Sequence, residues 1–329
     1  MKQVMRNRLL PLSSGYLMPQ LGLGTFQGPS GEMASKALEE VIGNAIDIGY
    51  RHFDTAEVYR NQVAIGRAIT RAVRDKKVTR DEIFLTSKIW PSNMAYNRAT
   101  NAVDRILDEL NVEYLDLCLI HWPTALRQSD SFEPKDSSGN HEWSNIDYME
   151  TWRALENGIH QRKIRSIGIS NFNSQQIIRI LDKGNVKPSV LQIECHPYLN
   201  QQRLIDFCKE RNIVVVAYSP LANPTDRGVC GVYDRYNIFN DAKLIDIALD
   251  YKKSVAQTVL RWHVERGVSV IPKSTNLERL KENWDVLGFK LGADAMKTID
   301  GLNVNFRVFP HMRAETMINH NNYPFNIEF

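Results

Sequence analysis

The sequence predicts an α/β protein, a single (β/α)8 TIM barrel with an N-terminal β-hairpin and a C-terminal tail over its mouth. Eight short apolar runs alternate with stretches of helical periodicity along most of the 329 residues, a pattern typical of βαβ units and a parallel sheet. Several runs end in polar or ionisable residues, as barrel strands do at the face that carries chemistry. A chain of this length that is 43% hydrophobic can also bury a full core.

The elements follow one another in a regular order. Two short runs around a Ser-Ser-Gly turn at 13–15 predict the hairpin, which we place within residues 1–20. The predicted barrel strands are 21–25, 51–54, 83–88, 115–121, 166–170, 191–194, 213–219 and 268–273. Apolar residues at helical spacing, as at 37–46 and 99–110, predict the helices between them. We expect the whole chain, 1–329, to form one barrel domain.

Three connections are longer than is usual between barrel elements: 122–145, 221–240 and the tail at 303–329. Long loops on one face of a rigid scaffold commonly determine specificity. The tail carries apolar side chains without a periodic pattern. These side chains are Phe306, Val308, Phe309 and Met312. We expect the tail to fold over the barrel mouth and to wall a substrate pocket with Trp90 and Trp122.

Charge and composition exclude several classes of protein. The net charge is only +3 and no block of Lys and Arg occurs, so nucleic-acid binding is not expected. No apolar run approaches the ~20 residues that cross a bilayer, and residues 1–10 do not resemble a signal peptide. The four cysteines form no C-x-x-C pair. They predict reduced thiols in a cytoplasmic protein.

Four ionisable groups follow the second, third and fourth predicted strands. Asp54 and Tyr59 follow the second strand, Lys88 ends the third, and His121 ends the fourth. Each alone has an ordinary structural explanation as a capping, packing or core residue. Because the carboxyl ends of parallel strands meet at one face, the four predict an ionisable cluster, which a core does not hold without a function.

The eighth strand leads into a predicted anion site. Thr275 and Glu278 have the spacing of a capping box, so a helix is predicted to begin there. A helix N-terminus offers free N–H groups and a positive dipole end to a phosphate. Lys273 and Arg279 add two cations, and barrels often bind phosphate after strands seven and eight.

Other motifs are weaker. Gln27 stands where a dinucleotide fingerprint after Gly22 and Gly24 needs its third glycine, so a Rossmann site is not predicted. Glu194 and His196 lack a second ligand pair at metal-binding spacing, and no metal is expected. The remaining histidines are predicted to lie at the surface: His141, His160, His263, His311 and His320.

From residue 21 onward the sequence resembles the aldo-keto reductases, and its last seven residues resemble those of the animal aldose/aldehyde reductases. The blocks that carry the resemblance are 49–59, 87–90, 120–123, 168–172, 192–198, 217–221, 271–283 and 323–329. The resemblance implies NADPH-dependent reduction of aldehydes and ketones. Tyr59 would be the proton donor, Lys88 would lower its pKa, Asp54 would hold Lys88, and His121 would orient the carbonyl.

The resemblance also implies residues for the cofactor and the substrate. Ser170, Asn171 and Gln192 would hold the nicotinamide carboxamide while Tyr218 stacks on the ring. Lys273, Ser274, Asn276 and Arg279 would bind the 2′-phosphate, and Glu282 and Asn283 the adenine. Further residues expected at the cofactor are Thr25, Phe26, Asp54, Ser219, Leu221, Asn223 and Thr275. Those expected at the substrate are Phe26, Tyr59, Trp90, His121 and Trp122.

The sequence departs from the family pattern at three positions. Phe26 stands in place of a tryptophan, Glu133 in place of an aromatic residue, and Ala222 in place of a common glycine. The first two leave the choice between sugar and aromatic substrates open. The third concerns the loop expected to clasp the pyrophosphate.

Two alternative functions remain at this stage. A Schiff-base aldolase could use Lys88, because a barrel with a strand-end lysine and a phosphate site suits it. A non-catalytic NADPH-binding structural or regulatory protein is the other. The expected partner is a small carbonyl compound, and nothing in the sequence requires more than a monomer.

Overall fold

The structure, a computed structural model, describes residues 9–26, 35–222, 236–310, 315–327 and 329. An antiparallel hairpin opens the described chain, formed by β1 (Leu9–Pro11) and β2 (Leu17–Pro19). The eight strands of the main sheet follow in chain order: β3 (Leu23–Gly24), β4 (His52–Asp54), β5 (Phe84–Ile89), β6 (Leu115–Ile120), β9 (Ile164–Ser170), β10 (Val190–Glu194), β11 (Val214–Tyr218) and β12 (Ser269–Val270).

Every pairing between neighbouring strands of this sheet is parallel. The two ends of the sheet also meet. Leu21 forms a parallel bridge with Val270. The Gly22 N–H donates to the Val270 carbonyl at 2.9 Å, and the Val270 N–H donates to the Gln20 carbonyl at 2.9 Å. The sheet is therefore closed, and the predicted (β/α)8 barrel is confirmed.

Helices connect the strands on the outside of the barrel. In the described residues these are α1 (Ser35–Ile48), α2 (Gln62–Arg74), α3 (Tyr96–Leu110), α4 (Tyr148–His160), α5 (Ser174–Lys183), α6 (Gln202–Lys209), α7 (Ala242–Asp250), α8 (Val255–Glu265), α9 (Leu277–Trp284) and α10 (Ala293–Asp300). Short 3-10 turns occur at Glu57–Tyr59, Arg80–Glu82, Pro91–Asn93, Ile238–Asn240, Asp285–Gly288 and Glu315–Asn319. None of these described helices is long and apolar enough to cross a bilayer.

The hairpin covers the end of the barrel where the strands begin. Leu12 and Met18 are buried in a cluster with the interior residues Leu117 and Val216. Burying apolar side chains at this end shields the barrel core from water. The opposite end, where the strands finish, is left for the loops. The first long loop contains its own small antiparallel pair, β7 (Ala125–Leu126) with β8 (Trp143–Ser144).

The surface assignment of the histidines is partly wrong. His263 is fully buried and His320 is 9% exposed, whereas His160 is exposed. His263 lies on the face of α8 that packs inward, where burial lowers the pKa of its imidazole well below the usual value. The imidazole is therefore uncharged at neutral pH, and an uncharged ring can be buried in the protein interior. His311 lies outside the described residues.

Candidate active site

The four predicted ionisable groups meet at the end of the barrel where the strands finish. Asp54 is the last residue of β4, and Lys88 lies near the end of β5. His121 directly follows β6. Tyr59 closes a 3-10 turn, Glu57–Tyr59, that begins three residues after the end of β4.

A buried ion pair is the centre of this cluster. The Lys88 ammonium donates to the Asp54 carboxylate and, at 2.9 Å, to the Thr55 carbonyl. The Lys88 side chain is fully buried and that of Asp54 is 3% exposed. The second oxygen of Asp54 accepts from the Gln192 amide at 2.8 Å. Asp54 thus fixes Lys88 from one side while Gln192 holds the carboxylate from the other.

The phenol and the imidazole lie against this pair. The Lys88 Nζ is 5.1 Å from the centre of the Tyr59 ring, and the Tyr59 and His121 ring centres are 5.9 Å apart. Phe26 contacts the other side of Tyr59, with ring centres at 5.0 Å. Among the described residues, the buried His121 Nδ1 has no hydrogen-bond partner. The site therefore presents a phenol, an imidazole and an ammonium within a few ångströms of one another.

The protonation states follow from burial. Burial, with a contribution from the Asp54 carboxylate, raises the pKa of the Tyr59 phenol well above its usual value. Burial and the nearby Lys88 charge lower the pKa of His121 well below its usual value. Burial also lowers the pKa of Lys88, although Asp54 opposes this. At neutral pH Tyr59 is therefore a neutral phenol and His121 a neutral imidazole.

The direction at Tyr59 is opposite to the one that the resemblance implies. Lys88 was expected to lower the pKa of this phenol, but in this structure the loss of hydration dominates, because a phenolate in a dry site is costly. A raised pKa keeps the proton on the phenol at neutral pH. The group is then available as a proton donor.

The residues predicted for the nicotinamide lie beside His121. The Tyr218 hydroxyl donates to Asn171 Oδ1 at 2.8 Å. The Asn171 amide donates to the His121 carbonyl at 3.0 Å and to the Ser170 hydroxyl at 3.2 Å. Gln192 is on the neighbouring strand, directly opposite Ser170 in the register. The structure therefore brings Ser170, Asn171, Gln192 and Tyr218 together, whereas Asn223 lies outside the described residues.

The predicted phosphate site is at the start of α9. The helix begins at Leu277, and Asn276 is its N-cap, with a side chain that accepts from the Arg279 N–H at 3.0 Å. The expected capping box of Thr275 and Glu278 is therefore wrong, and asparagine is indeed a stronger N-cap than threonine. Lys273 and Arg279 are exposed, and neither forms an ion pair within the described part of the chain. Two cations beside a free helix N-terminus suit a phosphate.

Aromatic side chains wall the mouth. Trp90 and Trp122 form a cluster with Met317 of the tail, and Phe132, Tyr323 and Phe325 pack against it. The tail residues at this wall differ from those expected. Phe306 instead stacks on Tyr236 at 4.5 Å, and Phe309 lies 6.0 Å from the Tyr218 ring. Met312 lies outside the described residues.

Two buried acids near the site gave no sequence signal as site residues. In the sequence, Glu194 suggests at most a metal ligand. It is fully buried, contacts His196 at 2.9 Å and accepts the backbone N–H groups of Val308 and Phe309, at 2.5 and 2.8 Å. It thereby anchors the tail. Glu57, in the 3-10 turn Glu57–Tyr59 (the tyrosine turn), has no such signal in the sequence. Within the described residues, no group of three or more His, Cys, Asp or Glu side chains could hold a metal ion.

Comparisons with known proteins agree with this arrangement. Residues 20–304 match the model of the aldo/keto reductase family. The chain is 39% identical to aldo-keto reductase family 1 member C15 of Rattus norvegicus over 98% of both chains. It is 40% identical to aldo-keto reductase family 1 member A1-A of Danio rerio over 91% of this chain and 90% of the relative. Prostaglandin F synthase 1 of Bos taurus is 38% identical over 98% of this chain and 99% of its own. Since the family model spans most of the chain and these relatives cover nearly all of it, the chain belongs to the aldo/keto reductase family of oxidoreductases.

Proposed function

We propose that the protein reduces aldehydes and ketones to alcohols with NADPH, with Tyr59 as the proton donor. The observation that carries the proposal is the buried Asp54–Lys88 pair with Tyr59 and His121 beside it at the barrel mouth. NADPH, when bound, supplies a hydride to the carbonyl carbon. The chain must then supply a proton to the carbonyl oxygen and a site that favours the developing negative charge.

Tyr59 and His121 have the protonation states for this task. The neutral phenol donates its proton to the oxygen as the carbon accepts the hydride, so that one alcohol forms. The phenolate that remains is stabilised by the Lys88 ammonium, which Asp54 keeps charged and in place. The neutral His121 imidazole can donate a hydrogen bond to the carbonyl and orient it.

The chain also has a suitable place for the cofactor. Amide and hydroxyl groups of Asn171, Gln192 and Tyr218 lie beside the tetrad (Asp54, Tyr59, Lys88 and His121), where a carboxamide could bind. Lys273 and Arg279, at the start of α9, are free to bind a 2′-phosphate. NADPH carries this 2′-phosphate and NADH does not, so a phosphate site at this position supports NADPH as the proposed cofactor.

Neither alternative function is favoured. A Schiff-base aldolase needs a lysine that is free and uncharged at the moment of attack. Lys88 instead donates to both Asp54 and the Thr55 carbonyl. A purely structural or regulatory role leaves the complete tetrad without a purpose, and it predicts NADPH binding without turnover.

We also propose that the enzyme is a cytoplasmic monomer in which residues 1–329 form one domain. The described cysteines, Cys118, Cys195 and Cys208, are all free and buried, in keeping with a reducing compartment.

Replacing Tyr59 by Phe tests the proposed function. We expect Tyr59→Phe to lower the rate of aldehyde reduction by ~10²–10⁴-fold, because general acid catalysis contributes about that much. The melting temperature and the affinity for NADPH should stay as in the wild type. The measurement is the loss of NADPH absorbance with a panel of aldehydes, beside a direct binding titration.

Tyr114→Phe is the matched control, because this phenol lies between Arg80 and Arg165, outside the tetrad. It should reduce aldehydes at the wild-type rate. Wild-type protein that binds NADPH but reduces none of the aldehydes would contradict the proposed activity. A Tyr59→Phe enzyme within a few-fold of the wild-type rate would show that another group gives the proton.

A further inference from the structure

The turn that ends in Tyr59 begins with a buried acid, Glu57. Its side chain is 1% exposed and accepts three hydrogen bonds. The donors are the Trp90 backbone N–H at 2.8 Å, the Asn93 amide at 3.0 Å and the Arg105 guanidinium at 2.5 Å. One carboxylate therefore ties the tyrosine turn to the end of β5, to the 3-10 turn after it and to α3.

The first of these bonds acts on the pocket wall. The Trp90 backbone is held by Glu57, and its indole N–H donates to the Phe132 carbonyl at 2.6 Å. The Trp90 ring lies 5.1 Å from the His121 ring, centre to centre. Trp90 is thus fixed between Glu57 and the first long loop, with its ring directed at the tetrad.

The second bond continues to the same loop. Asn93 accepts from the Arg98 Nε at 3.1 Å. The Arg98 guanidinium in turn donates to the Ser129 carbonyl at 2.6 Å and to Asp130 at 3.0 Å. An unbroken series of hydrogen bonds therefore joins the tyrosine turn to the loop expected to contact the substrate.

Only a carboxylate can satisfy this position. Three donors point at the two oxygens of Glu57, and an ionised carboxylate is an acceptor alone. A glutamine would direct its own N–H₂ group at one or more of these donors. Burial disfavours the charge and raises the pKa of Glu57, while the Trp90 and Arg105 contacts act against that. Removing one partner of a buried ion pair is strongly destabilising, so the carboxylate and its donors are expected to keep one arrangement.

We propose that Glu57 is a positioning residue for the reaction: it holds the proton donor Tyr59 and the wall residue Trp90 in a fixed relation, so that the reacting carbonyl and its substituent are placed together. The proposal rests on the proposed function. The hydrogen bonds of the Glu57 carboxylate within the described residues go to the Trp90 backbone, Asn93 and Arg105, so its effect on the rate comes through the backbone of the tyrosine turn and of Trp90.

Glu57→Gln tests the proposal, with Glu156→Gln as the matched control. Glu156 is likewise buried and accepts two backbone N–H groups, those of Asn185 and Val186, but it lies on α4 away from the tetrad. In Glu57→Gln we expect kcat for a short aldehyde such as propanal to fall by about 10-fold, because small misplacements of a catalytic group are costly. KM for a bulky aromatic aldehyde should rise by about 5-fold, since ground-state contacts with the wall are lost. NADPH affinity should not change.

The control separates positioning from stability. Glu156→Gln should lower the melting temperature about as much as Glu57→Gln while keeping the wild-type kcat and KM. Equal kinetic constants in both variants, or a loss of NADPH affinity in parallel with activity, would overturn the proposal. Failure of the proposed function is a separate outcome, because it would appear as absent turnover in the wild type.

Arg105→Met provides a second test if Glu57→Gln does not fold. The Arg105 side chain is 46% exposed, so its loss is tolerable, and the substitution removes the guanidinium that donates to Glu57. We expect the same changes in kcat and KM, but smaller. Arg71→Met removes a guanidinium of similar exposure, 50%, from a remote pair with Glu39 and should leave both constants unchanged. Wild-type kinetics in Arg105→Met would leave Glu57 with a structural role only.

Discussion

Buried histidines show how strongly the barrel interior selects the neutral form of a side chain. His52, at the start of β4, is 1% exposed, and its Nε2 lies 3.1 Å from the Thr86 hydroxyl. Burial lowers the pKa of His52 to about 4, although the Asp54 carboxylate acts in the opposite direction. His121 is neutral for the same reason, and there the neutral form serves the chemistry. The same burial therefore lowers the pKa of His121 at the mouth and of His52 deeper in the barrel, where it bears on the stability of the fold.

His52 predicts a loss of stability in acid. The unfolded chain binds a proton at this side chain near pH 6.5, whereas the folded chain does so only near pH 4. Between these values the unfolded state binds more protons, so the free energy of unfolding falls as the pH falls. The contribution of His52 is on the order of 3 kcal/mol across this window.

The measurement is urea unfolding of the wild type and of His52→Gln at several pH values in this window. Glutamine can retain the contact with Thr86 but does not titrate. The free energy of unfolding of His52→Gln should therefore fall less steeply toward acid than that of the wild type. Parallel curves would mean that His52 titrates alike in both states.

Helix α9 is the element that sets the proposed cofactor preference. The Asn276 side chain caps the Arg279 N–H at its N-terminus, and a helix N-terminus offers further N–H groups to an anion. Lys273 precedes the helix and Arg279 lies in its first turn. Both charges thus lie beside the N-terminal N–H groups of α9, which is a suitable arrangement for one phosphate.

Arg279→Ala should weaken NADPH binding and leave NADH binding nearly unchanged. A charge-assisted hydrogen bond is worth roughly 1.5–3 kcal/mol, which corresponds to ~10-fold or more in affinity. Lys281→Ala is the control on the same helix, since Lys281 already pairs with Glu278 at 2.9 Å. Fluorescence titration of both cofactors with both variants gives the four affinities. Equal losses of NADPH and NADH affinity in Arg279→Ala would place the 2′-phosphate elsewhere.

The elements differ in how far the sequence predicts them. The strands and the tetrad follow from local patterns, since alternating apolar runs mark the strands and their polar ends mark the mouth. The start of α9 was misplaced by one residue because Thr275 and Asn276 can both cap, and the choice depends on the fold. The contacts of Glu57 with Trp90, Asn93 and Arg105 join distant parts of the chain, and no local pattern encodes them.

Closure of the barrel depends on close approach at one seam. The first strand and the last have only two residues each in regular pairing. The seam is completed by backbone bonds from Gly22 to Val270 at 2.9 Å and from Gly24 to Pro272 at 3.2 Å. This approach places the ends of β3 and β12 next to each other, and with them Thr25 and Lys273. The seam therefore links the tetrad side of the mouth to the phosphate side.

Gly24→Ala should weaken this seam. A Cβ at Gly24 would lie 2.7 Å from the Ile271 carbonyl oxygen, which is backbone and cannot turn away. Overpacking of this kind costs typically ~1–3 kcal/mol of unfolding free energy.

Gly43→Ala is the matched control: Gly43 is in the middle of α1, and its added Cβ meets nothing within 4 Å. Alanine there should raise the free energy of unfolding by about 0.5–1 kcal/mol, because glycine disfavours a helix interior. Chemical denaturation of the two variants beside the wild type measures both changes. If Gly24→Ala were as stable as the wild type, the two strands could move apart at that point without loss of unfolding free energy. Closure of the barrel would then not depend on glycine at this position.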